Sequence, residues 1–270
     1  MNETVRDCIV AFGVVALIMI VGLGGMFIYS GQMTPYSVVV SGSMQHGDQS
    51  SVGIIDTGDV VVVRDLDRIG GIDGIRSYVD GYHDGYTKFG EFGDVIIYER
   101  GGNQNAVIHR AILWLDWNGA SWDAPSLDGF PGWNVTSGNP DGTGMSGVLT
   151  MTDIGFSGKT VSLDLDSLPK IDGFATMGDS KKNTSFDQTL HIVNSLVGEN
   201  RIKYVAGFEI PWIGAIKMHI DDNPNVSQIP SNSIPSLVAS IVCVIIAIIG
   251  VALVISIASS IKEDRRNERE

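Results

Sequence analysis

The chain contains little cysteine. Only Cys8 and Cys243 occur among its 270 residues, and both lie at or inside long apolar runs. The stretch between the runs therefore has no disulfide and no thiolate metal site. With roughly 200 residues, this stretch is long enough to be held together by its own apolar core.

Basic residues are also scarce. The sequence has 18 Lys and Arg against 31 Asp and Glu, a formal net charge of −13. Residues 30–233 hold 25 of the acidic and 13 of the basic residues, a net charge of −12. A surface of this sign repels nucleic acid, so no nucleic-acid partner is expected.

Charge is absent from two long runs, residues 9–29 and 234–258. Their 21 and 25 residues are each enough to cross a hydrocarbon layer as a helix. Neither run has the polar interruptions of a buried core helix. The first run exceeds the apolar part of a cleaved signal peptide, and no Ala-x-Ala-like site follows it. The sequence therefore predicts two retained membrane helices.

Basic residues flank the two predicted spans on one side of the membrane. Arg6 precedes the first span, and four basic residues follow the second: Lys262, Arg265, Arg266 and Arg269. Because positive residues are retained in the cytoplasm, residues 1–8 and 259–270 are predicted to be cytoplasmic. The protein is then a multi-pass protein of the cell membrane, with residues 30–233 outside.

Between the spans, no long stretch has a 3.6-residue apolar period. Short β-branched runs separated by Gly and Asp occur instead, which is typical of antiparallel strands. The sequence predicts a mainly β domain, with a helix over 185–198 and insertions or mobile loops near 69–93 and 118–147. The predicted strands begin at Asp59, Gly93, Ala106, Lys159 and Arg201, and the last extends over 201–218.

A serine becomes a nucleophile only when a base accepts its proton, and histidine has a suitable pKa without help. Among five histidines, alternation places His109 on the inward face of a predicted strand, together with Val107 and Leu113. Such an imidazole is either satisfied by a backbone carbonyl or serves as a catalytic base. Taken alone, the pattern fits the first possibility better.

Several short motifs follow one another in a set order. They are Ser-Gly-Ser-Met at 41–44, Gly-Asp-Val at 58–60, His-Arg at 109–110, and Gly-Asp-Ser at 178–180 with Asp187 after it. A further run, Gly-Phe-Glu-Ile-Pro-Trp-Ile-Gly at 207–214, lies near the end of the domain. This series resembles the type I signal peptidases, specifically the archaeal and endoplasmic-reticulum branch, in which histidine replaces the bacterial catalytic lysine. The resemblance covers scattered motifs across most of the domain.

The resemblance implies a signal-peptidase-like antiparallel β fold between two transmembrane helices. It implies a membrane-bound serine endopeptidase that removes signal peptides from exported precursors, with Ser43 as nucleophile and His109 as general base. The expected partners are precursors that bear signal peptides, membrane lipid and the protein-translocation channel. No metal or organic cofactor is implied.

The acidic residue is harder to assign from the motifs. In the family a second acid follows the Gly-Asp motif more closely than Asp187 follows Asp179, so a longer loop is expected here. Our hypothesis is that Asp187 orients the imidazole, and that Asp179 holds the loop or shares that role. An ordinary Asx turn is the alternative for Asp179. Arg110 is predicted to point to the opposite strand face and to be structural.

Ser41 is the candidate side-chain donor of the oxyanion hole. It lies two residues before Ser43 on a segment predicted to be extended, so both side chains point to one side. Its hydroxyl can then join the backbone N–H of Ser43 in stabilising a developing negative charge.

The chain departs from the family pattern at residues 45–48, Gln-His-Gly-Asp. His46 becomes a second candidate base, although a turn rarely holds an imidazole rigidly. A lysine base is disfavoured because Lys181 and Lys182 lie in a polar loop. Two other functions stay open: a non-enzymatic, membrane-anchored β-rich surface or sensor protein, and a related protease acting on other envelope precursors.

Overall fold

A computed structural model of the chain describes residues 3–102 and 105–267. Residues 1–2 and 268–270 belong to the two segments predicted to be cytoplasmic, and they lie outside the described residues, as does Arg269 of the basic tail. The protein is mainly β, with an apolar helix near each terminus. The helices are α1 (Glu3–Ser30), α2 (Tyr78–Asp84), α3 (Ile213–Ile220) and α4 (Ser233–Asn267).

The strands lie between α1 and α4, as the alternation of apolar and turn residues predicts. They are β1 (Tyr36–Val38), β2 (Val60–Arg64), β3 (Thr87–Lys88), β4 (Glu91–Phe92), β5 (Val95–Tyr98), β6 (Val107–Trp117), β7 (Trp122–Asp123), β8 (Trp133–Ser137), β9 (Ser146–Ile154), β10 (Lys159–Asp164), β11 (Gly173–Met177) and β12 (Ile202–Ile210).

The two terminal helices are long and apolar enough to cross a membrane. The qualifying segments are Phe12–Ser30 and Ser233–Ala258, close to the predicted spans 9–29 and 234–258. The last turn of α1 packs on the main sheet, where Tyr29 contacts the ring of Phe208 at 5.5 Å. The first apolar helix therefore joins the β domain directly.

The main sheet is antiparallel and runs in the order β1-β2-β12-β5-β6-β11, with the short β7 paired to β6. A second sheet has the order β10-β9-β8, and β3 and β4 form a hairpin. All five predicted strand starts lie at or just before observed strands, because β-branched residues fit a buried pleated surface.

Strand β6 is the centre of the core. The pairing of β6 with β11 shifts register at Ile112, which interrupts the alternation of side chains. The second sheet covers one face of β6 through Leu113 and Leu115, and Ala111 packs with Phe174 on the other. Consequently His109 and Arg110, neighbours on β6, are only 3% and 0% exposed. The expectation that only one face of this strand points inward is wrong.

Two secondary-structure predictions are also wrong. Residues 185–198 form turns, because the N–H of Asp187 bonds to Thr176 O of β11 and His191 has a positive φ of 55°. The strand predicted over 201–218 ends at Ile210, beyond which Trp212, with φ 66°, opens α3. Pairing with β2 stops at Ile210, so the backbone N–H and C=O groups that follow form hydrogen bonds within a helix instead.

The two segments expected to be insertions or mobile loops contain regular elements. Residues 69–93 include α2, whose Ser77–Asp80 capping box fixes its start, and the β3–β4 hairpin. Residues 118–147 include β7 and β8. Turn-forming residues are dense in both segments, and they mark tight connections here.

Candidate active site

Ser43 lies in a 3₁₀ turn, Gly42–Met44, between β1 and β2. Met44 anchors the turn, because its side chain is 1% exposed and belongs to the apolar cluster with Val39 and Ile55. The buried Met44 side chain therefore holds the turn against the apolar core, while Ser43 faces a cleft.

His109 and Asp187 form a buried pair. Nδ1 of His109 lies 2.8 Å from each carboxylate oxygen of Asp187. Oδ2 of Asp187 also accepts hydrogen bonds from the Tyr98 hydroxyl at 2.7 Å and from Thr176 Oγ1 at 2.6 Å. Because the acid is 1% exposed and held by three side chains, the imidazole has one fixed orientation.

Burial raises the pKa of Asp187, but the neighbouring His109 and the hydrogen bonds from His109, Thr176 and Tyr98 outweigh it. The net result is a pKa below the ordinary value of an aspartate. An ionised Asp187 accepts a hydrogen bond from Nδ1–H of His109, so the proton of the neutral imidazole stays on Nδ1 and Nε2 keeps its lone pair. That is the tautomer that a general base requires.

Gly178 explains how Nε2 comes close to the turn that carries Ser43. A Cβ on this glycine would lie 2.9 Å from His109 Nε2, 2.5 Å from Ser43 O and 1.9 Å from Asn183 Nδ2. The histidine and the backbone of Ser43 thus meet at a position where only glycine fits.

The loop after Gly178 holds Ser43 in place. Ser43 O accepts hydrogen bonds from Ser180 N at 2.9 Å and from Asn183 Nδ2 at 2.8 Å. Among the described residues, the Ser43 hydroxyl makes no hydrogen bond to His109; it lies 3.3 Å from Ser41 Oγ. In enzymes that use a serine and a histidine, this hydrogen bond is often long before substrate binds.

The start of the turn provides donors for a negative charge. The first N–H groups of a helical turn have no acceptor within the turn. Gly42 N donates to Gln228 Oε1 at 2.9 Å, so the N–H of Ser43 and the nearby hydroxyl of Ser41 are the candidate oxyanion donors. Ser41 is extended, with φ −144° and ψ 153°, but the chain turns directly after it.

Asp179 pairs with Arg110 and not with His109. Nε of Arg110 donates to Asp179 Oδ1 at 2.9 Å, and its Nη1 donates to the carbonyls of Phe92 and Gly93 at 3.0 and 2.7 Å. Burial raises the pKa of Asp179, yet the guanidinium more than offsets it and lowers the pKa to about 2. This ion pair braces the loop that carries Gly178.

His46 lies beside Asp179, the acid of this ion pair. Its ring stacks on Phe156, with centroids 4.1 Å apart and planes at 7°, and its Nε2 lies 3.6 Å from Asp179 Oδ2. In the part of the chain that the structure describes, no hydrogen bond joins His46 to Ser43. The geometry therefore favours His109 over His46 as the base.

A cleft of about 720 Å³ opens at Ser43. One side is the turn that carries Ser43, with residues 45–48, and another is the loop 180–183 with Lys181 and Lys182. The remaining side is the segment 227–231, which leads directly into α4. The cleft thus lies beside the start of the second apolar helix.

Sequence reasoning missed the residues that hold the pair and the turn. Tyr98 and Thr176 bind Asp187, and Asn183 and Gln228 bind the backbone at Ser43 and Gly42. These residues come from four distant segments, and a single sequence carries no signal that joins them. Over the described ranges, no group of three His, Cys, Asp or Glu is placed to hold a metal ion.

Comparison with protein-family models, with curated proteins and with solved structures gives no match for this chain.

Proposed function

We propose that the protein is a membrane-bound serine endopeptidase, with Ser43 as nucleophile, His109 as general base and Asp187 as the acid that orients the imidazole. The observation that carries the proposal is the buried His109–Asp187 pair at 2.8 Å, whose Nε2 meets the Ser43 backbone at Gly178. Serine, histidine and aspartate in this arrangement are the groups of acyl-transfer catalysis.

In the acylation step, Nε2 of His109 takes the proton from Ser43 Oγ as the oxygen attacks the scissile carbonyl carbon. The tetrahedral oxyanion is stabilised by the Ser43 N–H and the Ser41 hydroxyl. The C–N bond then breaks, and the imidazolium gives its proton to the leaving amine. In deacylation, His109 takes a proton from water, hydroxide attacks the ester, and the proton returns to Ser43 Oγ.

The proposed substrates are exported precursors with signal peptides. The motif resemblance supports this class, and so does the position of the cleft, because residues 227–231 form its wall and α4 begins at Ser233. A precursor whose apolar segment is in the membrane presents its following residues close to the bilayer surface. The Ser43 hydroxyl and the cleavage site of the precursor then lie at the same distance from the bilayer.

A processing assay in detergent tests the proposal. A precursor and its mature product are followed for the wild type, Ser43→Ala and His109→Ala, with Ser51→Ala and His83→Ala as controls, since Ser51 and His83 are exposed and lie outside the pair. Loss of at least about 10³-fold is expected for the first two variants, because nucleophile and base act as a unit. Full activity of Ser43→Ala would refute the proposal.

Substrate choice is tested separately. A secretory precursor and a precursor of another envelope protein are offered to the wild type in the same detergent. Cleavage of only the second would keep the serine protease and reject the signal-peptide substrate. Absence of cleavage of both, with a folded protein, would favour a non-enzymatic surface or sensor protein.

A further inference from the structure

Exposed apolar side chains of the β domain are concentrated at one end. Twelve large apolar residues between residues 31 and 232 are exposed, and eight of them fall within 31–52 and 208–220. Of the described residues in the range 53–207, only four are large, apolar and exposed. Residues 31–52 directly follow α1, and 208–220 lie shortly before α4.

Helix α3 provides the most regular part of this surface. Ile213, Ile216 and Ile220 are 48%, 45% and 75% exposed, and their spacing of three and four residues places them on one helix face. The opposite face, with Ala215 and Met218, is buried. The helix is thus apolar on both sides, and only one side has a partner within the described chain. We call the three residues the isoleucine stripe.

The position of α3 limits what can cover the stripe. The helix lies against α4 and is joined to it by residues 221–232 only. It also borders β1, since Gly214 lies close to Val38, and β1 begins six residues after α1 ends. The stripe is therefore held near the points where both apolar helices enter the β domain.

Charge distribution agrees with a surface that meets lipid. Residues 31–52 and 208–220 together contain Asp48, Glu209 and Lys217 as their only charged residues, a formal net charge of −1, and Asp221 and Asp222 follow directly after α3. Residues 53–207, in contrast, hold 21 acidic and 12 basic residues. Lys217, which is 62% exposed, forms an ion pair with Asp221 one helical turn further on, and its long stem can lie along the stripe with this pair in the headgroup layer.

We propose that the isoleucine stripe of α3 lies in the interface of the lipid bilayer that α1 and α4 span. The proposal rests on the membrane anchoring stated under Proposed function, and not on the chemistry at Ser43. A helix that lies in the membrane plane buries its apolar face at the boundary of headgroups and acyl chains. With α1 and α4 it gives the domain a third point of attachment, which sets the height of the cleft above the bilayer.

Single fluorescent labels test this position. Both native cysteines are replaced by serine, and Ile216→Cys, Ile171→Cys or Ile246→Cys is introduced and labelled with an environment-sensitive dye. Ile171 is 58% exposed and precedes β11, at the opposite edge of the sheet from β1. Ile246 is 63% exposed and lies inside the apolar part of α4.

The full chain is reconstituted in phosphatidylcholine and phosphatidylglycerol vesicles, with or without nitroxide-labelled lipid. The label at 216 is expected to be quenched about threefold more than that at 171, and comparably to that at 246, as for an interfacial helix. Equal quenching at 216 and 171, with strong quenching at 246, would overturn the stripe proposal alone.

Two other results also overturn it. The dye at position 216 could be shielded from water, yet not quenched by the labelled lipid, and only at a high ratio of protein to lipid. That result would assign the stripe to contact between two copies of the chain. Absence of quenching at all three positions would reject membrane anchoring together with the stripe. Proteolytic activity does not enter this readout, so failure of the proposed catalysis would leave the result unchanged.

Discussion

Replacing Asp187 by asparagine removes the negative charge of the side chain and leaves its volume almost unchanged. The asparagine oxygen can still accept from the Tyr98 hydroxyl and from Thr176 Oγ1, which bond to Oδ2 in the wild type. Its NH₂ group then faces Nδ1 of His109 and donates to it. The proton of the neutral imidazole moves to Nε2, and the histidine can no longer accept the proton of Ser43.

The magnitude follows from the burial of the pair. His109 is 3% and Asp187 1% exposed, so water screens neither charge when the imidazolium forms during the reaction. Removing one partner of a buried ion pair costs about 3–5 kcal/mol. At about 1.4 kcal/mol for each factor of ten in rate, kcat is expected to fall by about 10²–10⁴.

Asp179→Asn is the matched control, because Asp179 is equally buried but bonds to Arg110. It leaves a buried guanidinium without its counterion and is expected to lower the free energy of unfolding by about 3–5 kcal/mol. Processing rate and thermal unfolding in detergent are measured for both variants. Asp187→Asn with activity within about threefold of wild type would refute the role given to the pair.

Three further results are expected. Gly178→Ala should reduce processing about 10²-fold, because its Cβ would clash with Ser43 O and overpacking costs about 1–3 kcal/mol; Gly22→Ala in α1, where an added Cβ has nothing within 4 Å, should be neutral in the same assay. His46→Ala should keep activity within about tenfold, since a residue that braces through stacking is not the base, and an inactive but folded variant would contradict this. Burial raises the pKa of Glu209 to about 8, so the folded protein keeps a proton that the unfolded chain loses above about pH 4.3, and the free energy of unfolding should fall as pH rises from there toward 8. Glu209→Gln should make the free energy of unfolding depend less on pH, as measured by thermal unfolding at a series of pH values. An unchanged pH dependence would contradict the raised pKa of Glu209.

The sequence predicts the strands well where β-branched residues are bounded by Gly and Asp, as in β2, β5 and β6. It fails where tertiary pairing decides, since residues 185–198 have helical spacing but bond to β11 and form turns. Alternation could not separate His109 from Arg110, because β6 is covered on both faces.

For the site, chain order and motif spacing bring Ser43, His109 and the two aspartates into consideration and favour Asp187 as the partner of the imidazole, but they leave open whether Asp179 shares that role. That choice depends on where the loop after Gly178 folds, and Tyr98 and Thr176 contribute to it from two other strands. Contacts across such distances in sequence leave no local pattern. The partners of Asp179 and Asp187 became distinct only with the fold.

The hydrogen bond from Gly42 N to Gln228 Oε1 has a mechanical consequence. Gln228 lies five residues before α4 begins, so this hydrogen bond connects the start of the helix to the turn that carries Ser43. Helix tilt depends on how the apolar length matches bilayer thickness. If α4 spans a bilayer, a thickness that changes its tilt would shift the wall at 227–231 relative to Ser43, and lipid composition would then help to set the width of the cleft entrance.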